Sequence, residues 1–367
     1  MNKKRLLSLD VYRGLTIAFM IVVNTPGSWQ YVYAPLRHSE WHGCTPTDLV
    51  FPSFLFIVGV SMWFSMKKYG HSLNSRSVFK ILYRTLIIFA VGFLLVWFPF
   101  FGKNLSEVRI MGVLQRIALA YGLGALICLI VRRKYLWIVS AFILLGYWAL
   151  LYFGGGDQPY SLEDNVVLKF DLLVLGKDHL YRGFGIPFDP EGLLSTIPAV
   201  ATVIIGYIAG NVVGQGSADV KKVVRILIYG LILTVAGIIW NIWLPINKPL
   251  WTSSYVLYTG GLSFIILGLL YLIIDVLNLK GWTGFFKVFG MNALFIYMVA
   301  SLWTKIMLII KIGVDGEKIS LYSWIYNKIC VPLLGNLNGS LLFALLQVFL
   351  MWILVYILYR RKIFIKV

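Results

Sequence analysis

Charge is scarce in this chain, and acid is scarcest. Only 13% of the 367 residues are charged, and Asp and Glu together number 15. A soluble chain of this size carries about a quarter charged residues, so a surface made wholly for water is excluded. Cysteine is nearly absent. Cys44, Cys128 and Cys330 offer neither a disulfide framework nor a metal-ligand spacing, and no metal is expected. The period-two alternation of barrel strands is also missing. Instead the apolar runs are about twenty residues long, the length that carries a helix across a bilayer. With 59% hydrophobic residues and a mean hydropathy of +0.82, the expected class is all-α, a polytopic membrane helix bundle of about ten transmembrane helices.

The ten expected spans are Leu6–Pro26, Leu49–Met66, Val78–Pro99, Ile110–Val131, Tyr135–Phe153, Leu193–Val213, Val223–Leu244, Ser254–Leu277, Phe289–Ile310 and Leu341–Tyr359. The first follows a basic stretch, Met1 to Arg5, as a signal peptide would. It contains Asp10 and Arg13, however, and no small-residue cleavage site follows, so a retained span is expected. Connections are mostly short, which predicts a single domain over 1–367 with external loops at about 27–48, 154–192 and 311–340.

The net charge of +18 does not point to nucleic acid, because the Lys and Arg cluster at the ends of the spans. One side of the expected bundle takes Lys3, Lys4, Arg5, Lys67, Lys68, Arg76, Lys80 and Arg84. It also takes Arg132, Arg133, Lys134, Lys221, Lys222, Arg225, Lys280, Lys287, Arg360, Arg361, Lys362 and Lys366, making 20 of the 33 basic residues. The opposite side holds 12 of the 15 acids. The positive-inside rule then places both termini in the cytoplasm. Trp29, Tyr31, Tyr33, Trp41, Trp243 and Trp251 crowd the outer boundary as an aromatic belt. Leu321–Leu334 is expected along the interface, and Gly206, Gly210 and Gly214 at close helix packing.

Polar residues at the boundaries of such a chain are costly unless paired or used. His38, in an outer loop, can act as a base or a nucleophile, or be a solvated loop histidine. Asp48 opens the second span, where it can cap the helix or orient an imidazole. Asn24 closes the first span, as a helix terminator or as an amide donor to an oxyanion. Asp10 and Arg13 lie one turn apart near the inner end of the first span, and Arg116 lies within the fourth. They can tie helices together, or hold an anionic ligand entering from the cytoplasm. Asp189 and Glu191 open the sixth span, as ordinary N-terminal acids or as partners for an amine or sugar hydroxyls. Trp251, Ser253 and Asn292 add polar groups at span starts, Asn292 lining a cavity or bonding between helices.

Taken in order, several motifs resemble the heparan-α-glucosaminide N-acetyltransferase family, in its bacterial branch. They are Leu9-Asp10-Val11-Tyr12-Arg13-Gly14, Val23-Asn24, His38-Ser39-Glu40-Trp41-His42-Gly43 and Thr47-Asp48-Leu49-Val50-Phe51-Pro52. Asp189-Pro190-Glu191-Gly192, Leu250-Trp251-Thr252-Ser253-Ser254-Tyr255 and Gly290-Met291-Asn292-Ala293 complete the set. The resemblance implies a transmembrane acyltransferase that moves acetyl from cytoplasmic acetyl-CoA to the amine of glucosamine or a related amino sugar on the outer side. It implies that His38 is the catalytic histidine, with Asn24 its neighbour and Asp48 at a family acidic position. Arg13, Arg116 and Asn292 are then the candidates to hold acetyl-CoA, and Asp189, Glu191, Trp251 and Ser253 the acceptor. A homodimer is also implied, and the helical spans themselves lead to the expectation of a multi-pass chain surrounded by lipid in the bacterial inner (cytoplasmic) membrane. Some bacterial relatives are proposed permeases for N-acetylglucosamine, and an amino-sugar permease is the alternative reading.

Overall fold

A computed structural model describes residues 6–102, 104–216, 218–314 and 317–365. Lys3, Lys4, Arg5 and Lys366, four of the basic residues assigned to the inner side, lie outside the described residues. The helices are α1 (Leu7–Asn24), α2 (Val50–Met66), α3 (Ser75–Trp97), α4 (Val113–Ile130), α5 (Leu136–Gly154), α6 (Val166–Leu175), α7 (Thr196–Val213), α8 (Val220–Trp240), α9 (Ser253–Tyr271), α10 (Gly284–Met291) and α11 (Ala293–Ile309). A hairpin of β1 (Lys311–Val314) and β2 (Glu317–Ser320) comes next, paired antiparallel with Lys311 opposite Ser320. The chain closes with α12 (Leu321–Ile325) and α13 (Val331–Arg360).

The expected all-α membrane bundle is what forms. Nine helical stretches among the described residues are long and apolar enough to cross a bilayer, and one bent pair makes up to ten. The pair corrects the expected continuous ninth span. Helices α10 and α11 meet at an 84° bend, with Asn292 at the break in a non-helical conformation (φ −128°, ψ 36°). At 1.5 Å per residue α10 is only about 12 Å long. The last helix also starts earlier than expected, at Val331, and is interrupted at Gly335 (φ 75°, ψ −179°).

Local chemistry sets the boundaries. Thr25 and Pro26 close α1, because the residue before proline avoids helical geometry. The second span begins as a 3₁₀ turn, Pro46–Leu49, under a capping box in which Thr45 and Asp48 satisfy each other's backbone N–H groups. Asn74, Asn165 and Asp219 cap α3, α6 and α8 with their side chains. Helix α7 has no cap of its own at Ser195. Asp171 of α6 serves it from outside, accepting from the N–H groups of Leu193 (3.2 Å) and Leu194 (3.1 Å).

The chain forms two compact units. Among the described residues, the first comprises those from 6 to 38, from 45 to 50 and from 273 to 365, the second those from 39 to 44 and from 51 to 272. In the first, α1 packs on α10 and α13. The α1–α10 contact is backbone to backbone, since a Cβ on Gly290 would fall 1.8 Å from the carbonyl oxygen of Asp10. In the second, α7 is central and almost wholly buried, while α3 and α8 are mostly unburied and present their faces outward. Gly206, Gly210 and Gly214 line its close contact with α2, where a Cβ on Gly206 would lie 2.0 Å from the Phe56 carbonyl oxygen.

Candidate active site

In the first unit His38 and Asp48 are joined. The imidazole Nδ1 lies 2.6 Å from Asp48 Oδ1. The other carboxylate oxygen accepts from the Thr45 N–H at 3.1 Å, and the Thr45 hydroxyl lies 3.1 Å from it and 2.7 Å from the Arg37 carbonyl. The capping box thus pins the carboxylate, and the carboxylate pins the ring. Asp48 is fully buried, whereas 46% of the His38 side chain is exposed. An ionised carboxylate only accepts hydrogen bonds, so Nδ1 carries the proton and Nε2 is the basic nitrogen. A base oriented by a carboxylate is the arrangement needed to take a proton from an attacking nucleophile. Asn24 stands exposed at the end of α1 in the same unit.

Also in the first unit, Arg13 reaches Asp10 Oδ1 at 3.3 Å and the Gly290 carbonyl at 3.1 Å, so the pair expected within α1 extends to α10. Asn292 uses both ends of its amide on the C-terminal segment. Its Nδ2 donates to the Ile363 carbonyl (3.2 Å) and its Oδ1 accepts from the Ile365 N–H (2.9 Å). The α10–α11 break is therefore braced by the tail.

The second unit gathers Asp189, Glu191, Arg116, Trp251 and Ser253 at one end. Asp189 and Glu191 face a cation that the sequence reading did not single out. Arg109 grips Asp189 with two bonds, Nε to Oδ2 at 2.8 Å and Nη2 to Oδ1 at 2.6 Å, and reaches Glu191 at 2.5 Å. This forked geometry is the strong form of an ion pair. Burial alone would raise the Glu191 pKa, but the charges of Arg109, Arg116 and Lys248 outweigh it and hold the carboxyl below its usual range.

Arg116, expected either to tie helices together or to hold an anionic ligand, sits one turn into α4 and is fully buried. It donates to the Gly192 carbonyl (3.2 Å) and to the Ser195 hydroxyl, and its guanidinium carbon lies 4.9 Å from the centre of the Trp251 ring. Trp251, 1% exposed, holds a left-handed backbone conformation (φ 52°), which is rare for a bulky residue. The turn around it is built by Asn247, whose Oδ1 accepts from the Leu250 N–H at 2.7 Å. The Asn247 amide nitrogen donates to the Trp41 carbonyl at 3.0 Å and lies 3.3 Å from His42 Nδ1. Burial lowers the His42 pKa. Ser253 donates to the Leu144 carbonyl of α5 at 2.7 Å.

Thr45, Arg109, Asp171 and Asn247 are thus structural partners that sequence reasoning missed. Arg109 carried one signal, a cation on the acid-rich side of the chain. Asp171 and Asn247 carried none, because their roles depend on backbone N–H and C=O groups brought from distant segments.

Residues 5–220 match the family model described as "Heparan-alpha-glucosaminide N-acetyltransferase, catalytic". The chain is 30% identical over 351 residues to the human heparan-alpha-glucosaminide N-acetyltransferase, covering 80% of this chain and 52% of the human one. It is 29% identical over 355 residues to the mouse protein of the same name, covering 81% and 53%. The chain therefore spans about half the length of these curated relatives. Since the model match takes in α1–α7 with the His38–Asp48 pair and the Asp189–Glu191 turn, this multi-helix membrane chain belongs to the heparan-alpha-glucosaminide N-acetyltransferase family.

Proposed function

We propose that the chain is a transmembrane N-acetyltransferase that moves acetyl from acetyl-CoA to the amine of glucosamine or a related amino sugar. The observation that carries this reading is the 2.6 Å contact between His38 Nδ1 and Asp48, in a family named for this reaction. The orientation follows the charge asymmetry, with the Asp189 end facing outward and acetyl-CoA arriving from the cytoplasm.

His38 Nε2 takes a proton from the acceptor amine as its nitrogen attacks the thioester carbonyl. An N–C bond forms, the C–S bond breaks, and CoA leaves as a thiolate that accepts a proton. General-base help of this kind contributes about 10²–10⁴-fold. In the variant route Nε2 itself takes the acetyl group and passes it to the amine. Asp48 stabilises the imidazolium in either route, and the exposed Asn24 amide serves the tetrahedral oxyanion. One such donor contributes about 2.7–4 kcal/mol. Arg13 and Asn292, which brace the α10–α11 break, serve the donor side. The Arg109–Asp189–Glu191 lattice with Arg116, Trp251 and Ser253 gives the acceptor end a rigid frame.

The test uses the purified chain in liposomes with labelled acetyl-CoA and candidate amino sugars. Label is expected on the amine of an acceptor held on the opposite side of the membrane, and His38→Ala is expected to abolish it while CoA binding persists. Full turnover by His38→Ala refutes the assignment. Sugar accumulation independent of acetyl-CoA would make the chain a permease.

A further inference from the structure

Positive charge collects at the end of the second unit remote from Asp189. Among the described residues, the turns 67–76, 131–135 and 214–222 carry a run of Lys and Arg against one carboxylate, Asp219. That carboxylate is engaged in capping α8, accepting from the Lys221 N–H at 3.1 Å.

Within this basic end lies a fixed imidazole. His71 has a left-handed backbone (φ 53°) that turns its ring back onto the bundle. The ring stacks on the Trp63 indole, with centroids 3.9 Å apart and planes at 28°, and its Nδ1 lies 2.8 Å from the Tyr207 hydroxyl. Trp63 is 4% exposed and Tyr207 fully buried, so the ring is held by two anchored partners. The Arg133 guanidinium carbon lies 4.8 Å from the centre of the same indole. His71 Nε2 has no hydrogen-bond partner among the described residues.

The groups facing this imidazole are Trp63 and Lys67 from the α2 side, Tyr207 from α7 and Arg133 from the turn before α5. None is an acid. Burial, then the charges of Arg133 and Lys67, press the His71 pKa down to about 4. At neutral pH the ring is therefore uncharged. With Tyr207 donating to Nδ1, it offers an N–H at Nε2. A neutral donor, a planar guanidinium and an ammonium, with no acid among the facing groups, match a phosphate ester. Arg meets its oxygens in a fork, Lys meets it as a point charge, and the anion favours protonation of the ring. Tyr207 can then reverse its hydrogen bond and accept from Nδ1.

We propose that Lys67, His71 and Arg133 form a binding site for a phosphate ester, occupied by the nucleotide end of the acetyl-CoA donor. The occupant rests on the acetyltransferase reading above, and a lipid phosphate shares the chemistry. The test uses the full chain in phosphatidylcholine nanodiscs, titrated with CoA by calorimetry in two buffers of different ionisation enthalpy. CoA is expected to bind the wild type with uptake of part of a proton between pH 5 and 7. His71→Gln and Arg133→Ala are each expected to weaken it tenfold or more, and His71→Gln to lose the proton uptake. Turnover of S-acetyl-N-acetylcysteamine, a thioester with no nucleotide, is expected to stay unchanged in both variants. Lys67→Ala, at an exposed position, gives a second measure should a His71 variant fold poorly.

Unchanged CoA affinity in the variants overturns the proposal and leaves the acetyltransferase reading intact. Failure of the wild type to bind CoA overturns both. A response only in nanodiscs containing phosphatidylglycerol, lost in the variants, overturns the nucleotide assignment and gives the site to lipid headgroups.

Discussion

Replacing Asp48 with Asn changes one oxygen to an NH₂ group at almost constant volume, and the neighbouring donors set the consequence. The wild-type carboxylate meets two demands at once, the Thr45 N–H at 3.1 Å and His38 Nδ1 at 2.6 Å. An amide has a single acceptor oxygen. If it stays on the Thr45 N–H, preserving a cap worth roughly 1 kcal/mol, the NH₂ faces the imidazole. His38 must then accept at Nδ1 and carry its proton on Nε2, the nitrogen assigned to take a proton from the amine. If the amide turns the other way, the cap is broken and the imidazolium still loses its charged partner. A hydrogen bond to a charged group contributes about 1.5–3 kcal/mol. Each 1.36 kcal/mol is tenfold in rate, so that loss alone predicts about 10–150-fold. The tautomer change extends it toward the 10²–10⁴-fold of a lost general base. Acetyl transfer in liposomes at saturating acetyl-CoA measures kcat, and thermal unfolding in detergent checks that stability falls by no more than the cap. If Asp48→Asn turns over within threefold of wild type, the orienting role is refuted.

Arg109→Ala leaves Asp189 and Glu191 without the cation that bridges them. Removing one partner of a buried ion pair costs about 3–5 kcal/mol, and a large drop in melting temperature is expected, with Arg109→Lys in between because it lacks the fork. Gly290→Ala places a methyl group 1.8 Å from the Asp10 carbonyl oxygen. The α1–α10 contact must open, and a loss of about 1–3 kcal/mol should appear as a lower melting temperature, while Gly281→Ala, which meets nothing within 4 Å, should not show it. Asp171 has its pKa raised to about 6 by burial, opposed by the Leu194 N–H and reinforced by Asp189. A raised acid pKa favours the folded state below the unfolded value near 4, and that stability is lost as pH climbs through 6. Wild type should therefore gain stability relative to Asp171→Asn as pH falls from 7 to 4. A flat difference between their melting curves over that range contradicts the shift.

The spans were legible because each is a local property. Twenty apolar residues bounded by Lys, Arg, Pro or Asn form a helix whatever its neighbours are, and eight of the expected spans match single helical stretches within a few residues. The ninth misled, because Phe289–Ile310 is apolar throughout and hydropathy does not register a bend. The signal was Asn292, whose amide does better bonded to the backbone of 363–365 than inside a helix. His38 and Asp48 were both visible as polar residues at a boundary, ten positions apart and bridged by a turn. Arg109 and Asp189 are eighty apart, and no local pattern links them.

The sequence by itself determined that this chain is a helical membrane protein, where eight of its spans run and which family it resembles. All of these rest on short-range composition and the order of motifs. Only the tertiary structure decided that Arg109 neutralises Asp189 and Glu191, that Arg116 joins their end of the bundle, and that His71 is clamped between Trp63 and Tyr207. A buried charge or ring takes its role from the groups packed around it, and those groups come from segments that meet only when the chain has folded.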